Sequence, residues 1–186
     1  ASDLLDQVLQ NIGGFDGKSI LTDIGDDAAV IEVENKRQVL TTDHLREFNS
    51  DLWSYAHITA VHSLGDIWAM GGEPDVVLAH IIIPEGSEKA QKNWLDQIIG
   101  GASTVFTKEG ASIVGGHTSI GAEFSIGFSV TGRISNDPTL ISGAEPGDRI
   151  ILTKPIGSGT ILAGEMQLMS QGLWVESALK WMMKPQ

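Results

Sequence analysis

Four aspartates and a glycine pair followed by histidine are the residues of this sequence best suited to chemistry. Asp26 and Asp27 stand in Gly25-Asp26-Asp27-Ala28-Ala29-Val30, Asp43 closes Thr41-Thr42-Asp43, and Asp66 closes His62-Ser63-Leu64-Gly65-Asp66. Each borders an apolar segment: Val30-Ile31, Val39-Leu40 and Ile67-Trp68. Carboxylates at the ends of strands or helices, rather than on a solvated face, suggest groups gathered toward one point. Gathered and ionised, they repel one another unless a cation sits between them. Hard oxygen donors of this kind suit Mg²⁺, which takes a few carboxylates, several waters and the oxygens of a nucleotide. Singly, each aspartate reads as a helix cap or a turn residue. All four, taken with the glycine motifs, favour the metal reading.

Gly115-Gly116-His117-Thr118 follows the apolar run Ala111-Ser112-Ile113-Val114. Glycines after a strand let backbone N–H groups approach an anion, so this segment is a candidate phosphate-contacting loop. No G-x-x-x-x-G-K-[ST] occurs, which excludes a P-loop, and Gly157-Ser158-Gly159 lacks the third glycine of a dinucleotide fingerprint. His44, His57 and His80 read as packing or surface residues. His62, one helical turn before Asp66, stands between a partner of that carboxylate and a plain helix residue. Lys154 reads as a strand-end surface lysine rather than a phosphate ligand, and the five tryptophans and five methionines as core.

The elements that must position these groups follow from periodicity. Leu4, Leu5, Val8, Leu9 and Ile12 form a helical stripe over residues 2–12, stopped by Gly13-Gly14. Strands are expected over 28–33 and 38–42 with Glu34-Asn35-Lys36 as their turn, then over 75–83, 111–114 and 123–134, the last alternating through Phe124, Ile126, Phe128 and Val130. A helix over 53–70 carries Ala56, Thr59, Ala60, Ser63, Ile67 and Met70 at spacings of three and four. A second, over 85–107, presents Trp94, Leu95, Ile98, Ile99, Ala102, Val105 and Phe106. Turn-rich residues 136–148 mark a domain boundary. Beyond them come a strand over 149–153, a tight turn at Gly157-Ser158-Gly159, and helices over 160–169 and 175–183. One strand and two helices are too little to close a sheet, so the chain reads as a fragment or as ending in a disordered region.

Composition bounds the function. A chain of 186 residues with net charge −12 has no general electrostatic affinity for nucleic acid or anionic membranes. No cysteine is present, excluding thiol catalysis and thiolate metal sites within these residues. No leader-like start or membrane-length apolar run is evident, so the expected compartment is cytoplasmic.

Together the segments resemble the selenophosphate synthetase (selenide, water dikinase) family of the ATP-binding superfamily that includes aminoimidazole ribonucleotide synthetase, thiamine-monophosphate kinase and the hydrogenase-maturation dehydratase. The resemblance rests on Gly25 to Val30, Thr41 to Asp43, Gly65-Asp66-Ile67-Trp68-Ala69-Met70-Gly71-Gly72-Glu73-Pro74, Ala111 to Ser119, Val130-Thr131-Gly132 and Leu152 to Gly159. The aspartate pair and the Ala-Met-Gly-Gly segment are shared across the superfamily, whereas Gly-Gly-His and Leu-Thr-Lys-Pro point to the selenophosphate branch.

The expected fold is α+β or α/β: a mixed sheet of about four strands with two long helices on one face, similar to the N-terminal domain of aminoimidazole ribonucleotide synthetase. The resemblance implies a nucleotide-binding first domain over 1–136 and an incomplete second over 137–186. Asp27 and Asp66 look like Mg²⁺ ligands, Asp43 like an ATP-site residue near the metal, and Ile24, Gly25 and Asp26 like residues along the nucleotide. Gly115, Gly116 and His117 would reach ATP from the other subunit of a homodimer paired through its sheets. The implied reaction is Mg²⁺-dependent phosphoryl transfer from ATP to selenide, giving selenophosphate, AMP and phosphate. A thiamine-monophosphate kinase-like enzyme and a non-catalytic nucleotide-binding module are the alternatives.

Three departures qualify the resemblance. The family's reactive Cys or Sec and its Lys precede the first helix and have no counterpart here, and a further metal-binding aspartate of the second domain would lie past Gln186. These residues alone are therefore expected to be inactive. His62 and Gly65 stand where the family usually has asparagine and serine.

Overall fold

The computed structural model describes residues 4, 5, 7–9 and 19–185. Of the helix expected over 2–12, Leu4, Leu5, Val8 and Leu9 are helical and exposed. The other positions of that stretch, except Gln7, and the Gly13-Gly14 stop lie outside the described residues. Strands β1 (Ala29–Val33), β2 (Lys36–Arg46), β3 (Glu73–Pro84), β4 (Ser112–Gly121) and β5 (Ser125–Ile134) make a five-stranded sheet in the order β1-β2-β5-β3-β4. Helix α1 (Leu52–Ala69) joins β2 to β3, and α2 (Glu88–Lys108) joins β3 to β4. Helices α3 (Ser158–Met166) and α4 (Gly172–Met182) follow the sheet.

Local chemistry accounts for these connections. Glu34 and Asn35 both adopt positive φ between the paired residues Val33 and Lys36. A two-residue turn of that hand matches the twist of the strands it joins. Asp51 caps α1 by accepting from the Trp53 amide, and Ser87 caps α2 by accepting from Ala90. The β3-to-β4 pairing is parallel, which requires a long crossover, and α2 supplies it. β5 then inserts antiparallel between β2 and β3, making the sheet mixed.

Alternation decides which face is buried. Val39 of β2, Val77, Ala79, Ile81 and Ile83 of β3, and Ile126, Phe128 and Val130 of β5 form one core with both long helices. From α1 that core takes Tyr55, Ala56, Ala60, Leu64 and Ile67, and from α2 Ile98, Ala102, Val105 and Phe106. Phe106 meets Phe128 edge-on at 5.0 Å. Each large side chain buried this way contributes about 1.5–3 kcal/mol. The Tyr55 hydroxyl donates to the Leu45 carbonyl and accepts from the Ile126 amide, which lets a phenol enter the core. The opposite face, with Thr42 and His44 on β2 and Leu78, His80 and Ile82 on β3, is turned away from α1 and α2. Leu78 is 48% exposed there.

The α+β class and both long helices agree with the sequence reading, with five strands in the sheet rather than about four. Three expectations are corrected. Gly115 to Ser119 is not a loop after a strand: β4 runs unbroken through it, because β3 continues alongside and pairs Leu78 through Pro84 with Gly115 through Gly121. Residues 149–153 form no strand; Ile150 is 96% exposed and no neighbouring strand pairs with it among the described residues. The aromatic and methionine core extends less far than expected, since Trp174, Trp181, Met166 and Met169 are exposed. The helices expected over 160–169 and 175–183 begin earlier, at Ser158 and Gly172.

Candidate functional site

Strand alternation places Thr41 and Asp43 on the helix side of β2, and the last two turns of α1 present His62 and Asp66 to them. Thr41 Oγ1 donates to Asp66 Oδ2 at 2.6 Å. His62 Nε2 lies 3.0 Å from Asp43 Oδ2, while Asp43 Oδ1 accepts from the His44 amide at 2.7 Å. Two side chains of one strand thus meet two side chains of one helix, four residues apart on the same face.

The two carboxylates are tuned in opposite directions. Burial pushes Asp43 up, but the His62 hydrogen bond and charge, with the His44 amide, hold it below the ordinary aspartate range. His62 is correspondingly raised by its bond to Asp43, with burial opposing. Asp66 is raised, first by burial and then by the charges of Asp43 and Asp27, with Thr41 pulling the other way. Asp27 therefore belongs to the same electrostatic neighbourhood, exposed in the turn before β1.

Asp26 faces elsewhere: its Oδ1 accepts from the Ile141 amide at 3.1 Å, tying the turn to the link after the sheet. Ile24 and Gly25 are exposed in the same turn. Gly115, Gly116 and His117 are not brought to this cluster. They lie on β4, at the far edge of the sheet from β1, and His117 is level with His80 on the face away from the helices. Thr41 and the His62–Asp43 pair are the contributions that residue reading left unassigned. The signal for Thr41 was its two-residue spacing from Asp43; for His62 it was the four-residue spacing from Asp66.

The donor set fits a hard cation. Asp27, Asp43 and Asp66 supply oxygens only, and Asp66 is pushed up first by burial and then by the charges of the other two, a repulsion that a cation between them would relieve. Among the described residues no three ligand side chains enclose a point. Mg²⁺ does not require that, because it keeps waters and phosphate oxygens in its shell.

Beside His62, a cavity of about 530 Å³ opens between α1, the 151–159 segment and the end of α4. Ile58, Val61, Ile156 and Trp181 give it apolar walls, and Lys154 lines it with a charge. Lys154 Nζ donates to the Lys184 carbonyl at 2.9 Å, and burial lowers its pKa.

A mixed five-stranded sheet with paired helices on one face and a carboxylate cluster at the strand–helix junction defines an α+β domain with an oxygen-donor site. The chain belongs to the family of AIR synthase related proteins, matching its N-terminal domain over residues 25–134. It is 33% identical over 186 residues to the selenide, water dikinase of Desulfitobacterium hafniense (strain DSM 10664 / DCB-2), covering 97% of this chain and 53% of that protein. It is 35% identical over 162 residues to selenide, water dikinase 2 of Peptoclostridium acidaminophilum, covering 86% and 46%. The solved structure of AaThiL complexed with AMPPCP and TMP shares the fold at a TM-score of 0.72 and 21% identity, covering 98% of this chain and 57% of that one. The chain spans about half the length of the curated relatives it matches.

Proposed function

We propose that this chain carries the nucleotide and Mg²⁺ site of an ATP-dependent phosphotransferase, and that the whole protein makes selenophosphate from ATP, selenide and water. The observation that carries the reading is the meeting of Thr41, Asp43, His62 and Asp66, with Asp27 near enough to act on Asp66. Asp27 and Asp66 would hold the metal, which when bound supplies neutralisation of phosphate oxygens. Asp43 positions the edge of that site, fixed by His62 and the His44 amide. Ile24, Gly25 and Asp26 lie along the nucleotide, and Gly115, Gly116 and His117 reach it from a second copy. Likeness to selenide, water dikinases across nearly the whole chain supports selenide as acceptor.

The cavity beside His62 favours one second reading. Selenide is a single atom, whereas about 530 Å³ with apolar walls and a lysine accommodates an organic acceptor, as in a thiamine-monophosphate kinase-like enzyme. Product analysis of the full-length protein with ATP and either selenide or thiamine monophosphate separates the two.

The site itself is tested by thermal melts of wild type and Asp66→Asn. Without metal, removing a charge that burial and two carboxylates oppose should leave stability unchanged or raise it. Mg²⁺-ATP should stabilise the wild type by about 2.7 kcal/mol at a hundredfold excess over Kd, and most of that gain should vanish in the variant. Equal nucleotide-dependent shifts in both proteins would make Asp66 a structural residue.

A further inference from the structure

Lys154 differs from other basic residues of the chain in what it touches. Arg46, Lys92 and Lys180 each face a carboxylate, at 2.7, 2.6 and 2.6 Å. Lys154 Nζ is bonded instead to a neutral acceptor, the Lys184 carbonyl. An ammonium carries three N–H donors, and no second acceptor is bonded to this one among the described residues. The side chain is partly buried, so its charge is neither fully hydrated nor balanced by a carboxylate.

That ammonium lines the cavity beside His62. His62 bonds Asp43, and the Lys154 charge acts on His62, so the cavity adjoins the carboxylate cluster. Ile58, Val61, Ile156 and Trp181 keep other parts of the wall apolar, which strengthens the pull of a charge on a ligand inside. Residues 151–159 form part of this wall rather than a strand, which turns Lys154 from a strand-end position into a lining one. An acceptor that reaches the phosphates of a nucleotide as an anion meets Asp27, Asp43 and Asp66 as well, all of its own sign. It needs a cation on its own side. Of the two basic side chains lining the cavity, His62 is already held by Asp43, which leaves Lys154.

We propose that Lys154 holds the anionic end of the phosphoryl acceptor in this cavity, and so helps decide which acceptors are used. The inference rests on the phosphotransferase reading above and adds a residue to it. The shared chemistry is a small anionic group. It belongs either to hydroselenide, the form of selenide at neutral pH, or to the phosphate of thiamine monophosphate, whose rings would lie against the apolar wall. The bond to the Lys184 carbonyl need not break, because two Nζ donors remain for the ligand.

The test uses the full-length protein, titrated by calorimetry without oxygen with hydroselenide and, separately, with thiamine monophosphate. Each titration is run with and without Mg²⁺ and a non-hydrolysable ATP analogue. Saturable binding of one of the two anions is expected, weakened at least tenfold in Lys154→Met, which keeps an apolar stem and removes the charge. Lys154→Arg, which keeps the charge, should bind that anion more tightly than Lys154→Met does. In steady state, Lys154→Met should raise KM for the acceptor at least tenfold and leave KM for ATP within about twofold. Loss of the Lys184 bond alone would lower the melting temperature without separating the two KM values, and melts show that each variant is folded. Binding that depends on Lys154 without any turnover would leave the anion site standing and overturn the phosphotransferase reading. Turnover with an acceptor affinity that Lys154→Met leaves unchanged would do the reverse. An arginine variant no better than the methionine one, or no saturable binding of either anion up to about 1 mM (weaker than about 4.1 kcal/mol), would also overturn the proposal.

Discussion

Asp43 and Asp66 share one contact zone yet respond to pH in opposite senses. Asp43 is lowered from 3.8, so its ionised form stabilises the fold above that pH, and the contribution is lost as pH falls through the folded value. His62 is raised from 6.5, so its protonated form stabilises the fold below 6.5, and that contribution disappears as pH rises through the folded value. Asp66 is raised from 3.8, so its ionisation costs stability as pH climbs through the range above that value. The His62–Asp43 pair is therefore strongest between about pH 4 and 6.5. In metal-free buffer, His62→Gln should lower the melting temperature most in that window and least at pH 8. A difference that stays constant across pH 5–8 would mean the pair contributes through packing rather than charge. Both partners are partly exposed, so the effect should shrink as salt rises. The nearness of Asp43 and Asp66 was legible because each sat beside an apolar run, whereas Asp26, expected with them, instead binds the Ile141 amide. Their individual partners were not, since a pattern places a residue on a face without saying which side chain of a distant element it meets.

Adjacent glycines of α2 offer opposite outcomes at the scale of elements. A Cβ on Gly100 would stand 3.9 Å from the Trp53 ring, an ordinary contact, whereas one on Gly101 would lie 2.2 Å from the Trp53 carbonyl oxygen of α1. Helix propensity alone favours alanine at both by about 1 kcal/mol. Gly100→Ala should therefore stabilise by up to that amount, while Gly101→Ala should destabilise by about 1–3 kcal/mol as α1 and α2 are forced apart. Chemical denaturation of both variants checks the pair, and a stabilised Gly101→Ala would contradict the close helix contact. The same scale shows what periodicity can and cannot convey. Both long helices and the alternation of β5 were readable because their apolar stripes face one core. Gly115-Gly116-His117 was misread because two glycines signal a turn locally, while their strand conformation comes from β3, some thirty-five residues away. The run 149–153 was misread for the converse reason: apolar β-branched residues have strand propensity, but a strand needs a neighbour.

At the scale of the molecule, the chain separates two groups that the functional reading joins. Asp43 and Asp66 lie on the helix side near the β2 end of the sheet, while His117 lies on the edge strand β4 with its partner His80 facing the other way. Within one copy they do not meet, so a nucleotide touching both must lie between copies. Among the described residues β4 is an edge strand with no strand on its outer side, and Leu78 and Ile82 are 48% and 39% exposed on the face away from α1 and α2. A symmetric dimer follows as the expected state, seen by sedimentation at about 10–50 µM, and Leu78→Lys should weaken it at least tenfold, or about 1.4 kcal/mol. Complementation between copies tests the stronger claim. Asp66→Asn and His117→Ala should each lose Mg²⁺-ATP binding. Mixed in equal amounts and allowed to exchange, they should regain about a quarter of the sites, because half of the dimers pair one of each and one of their two sites escapes both substitutions. Recovery near that fraction requires His117 to act in trans. A mixture as silent as its components, with exchange verified independently, would place His117 outside the nucleotide site.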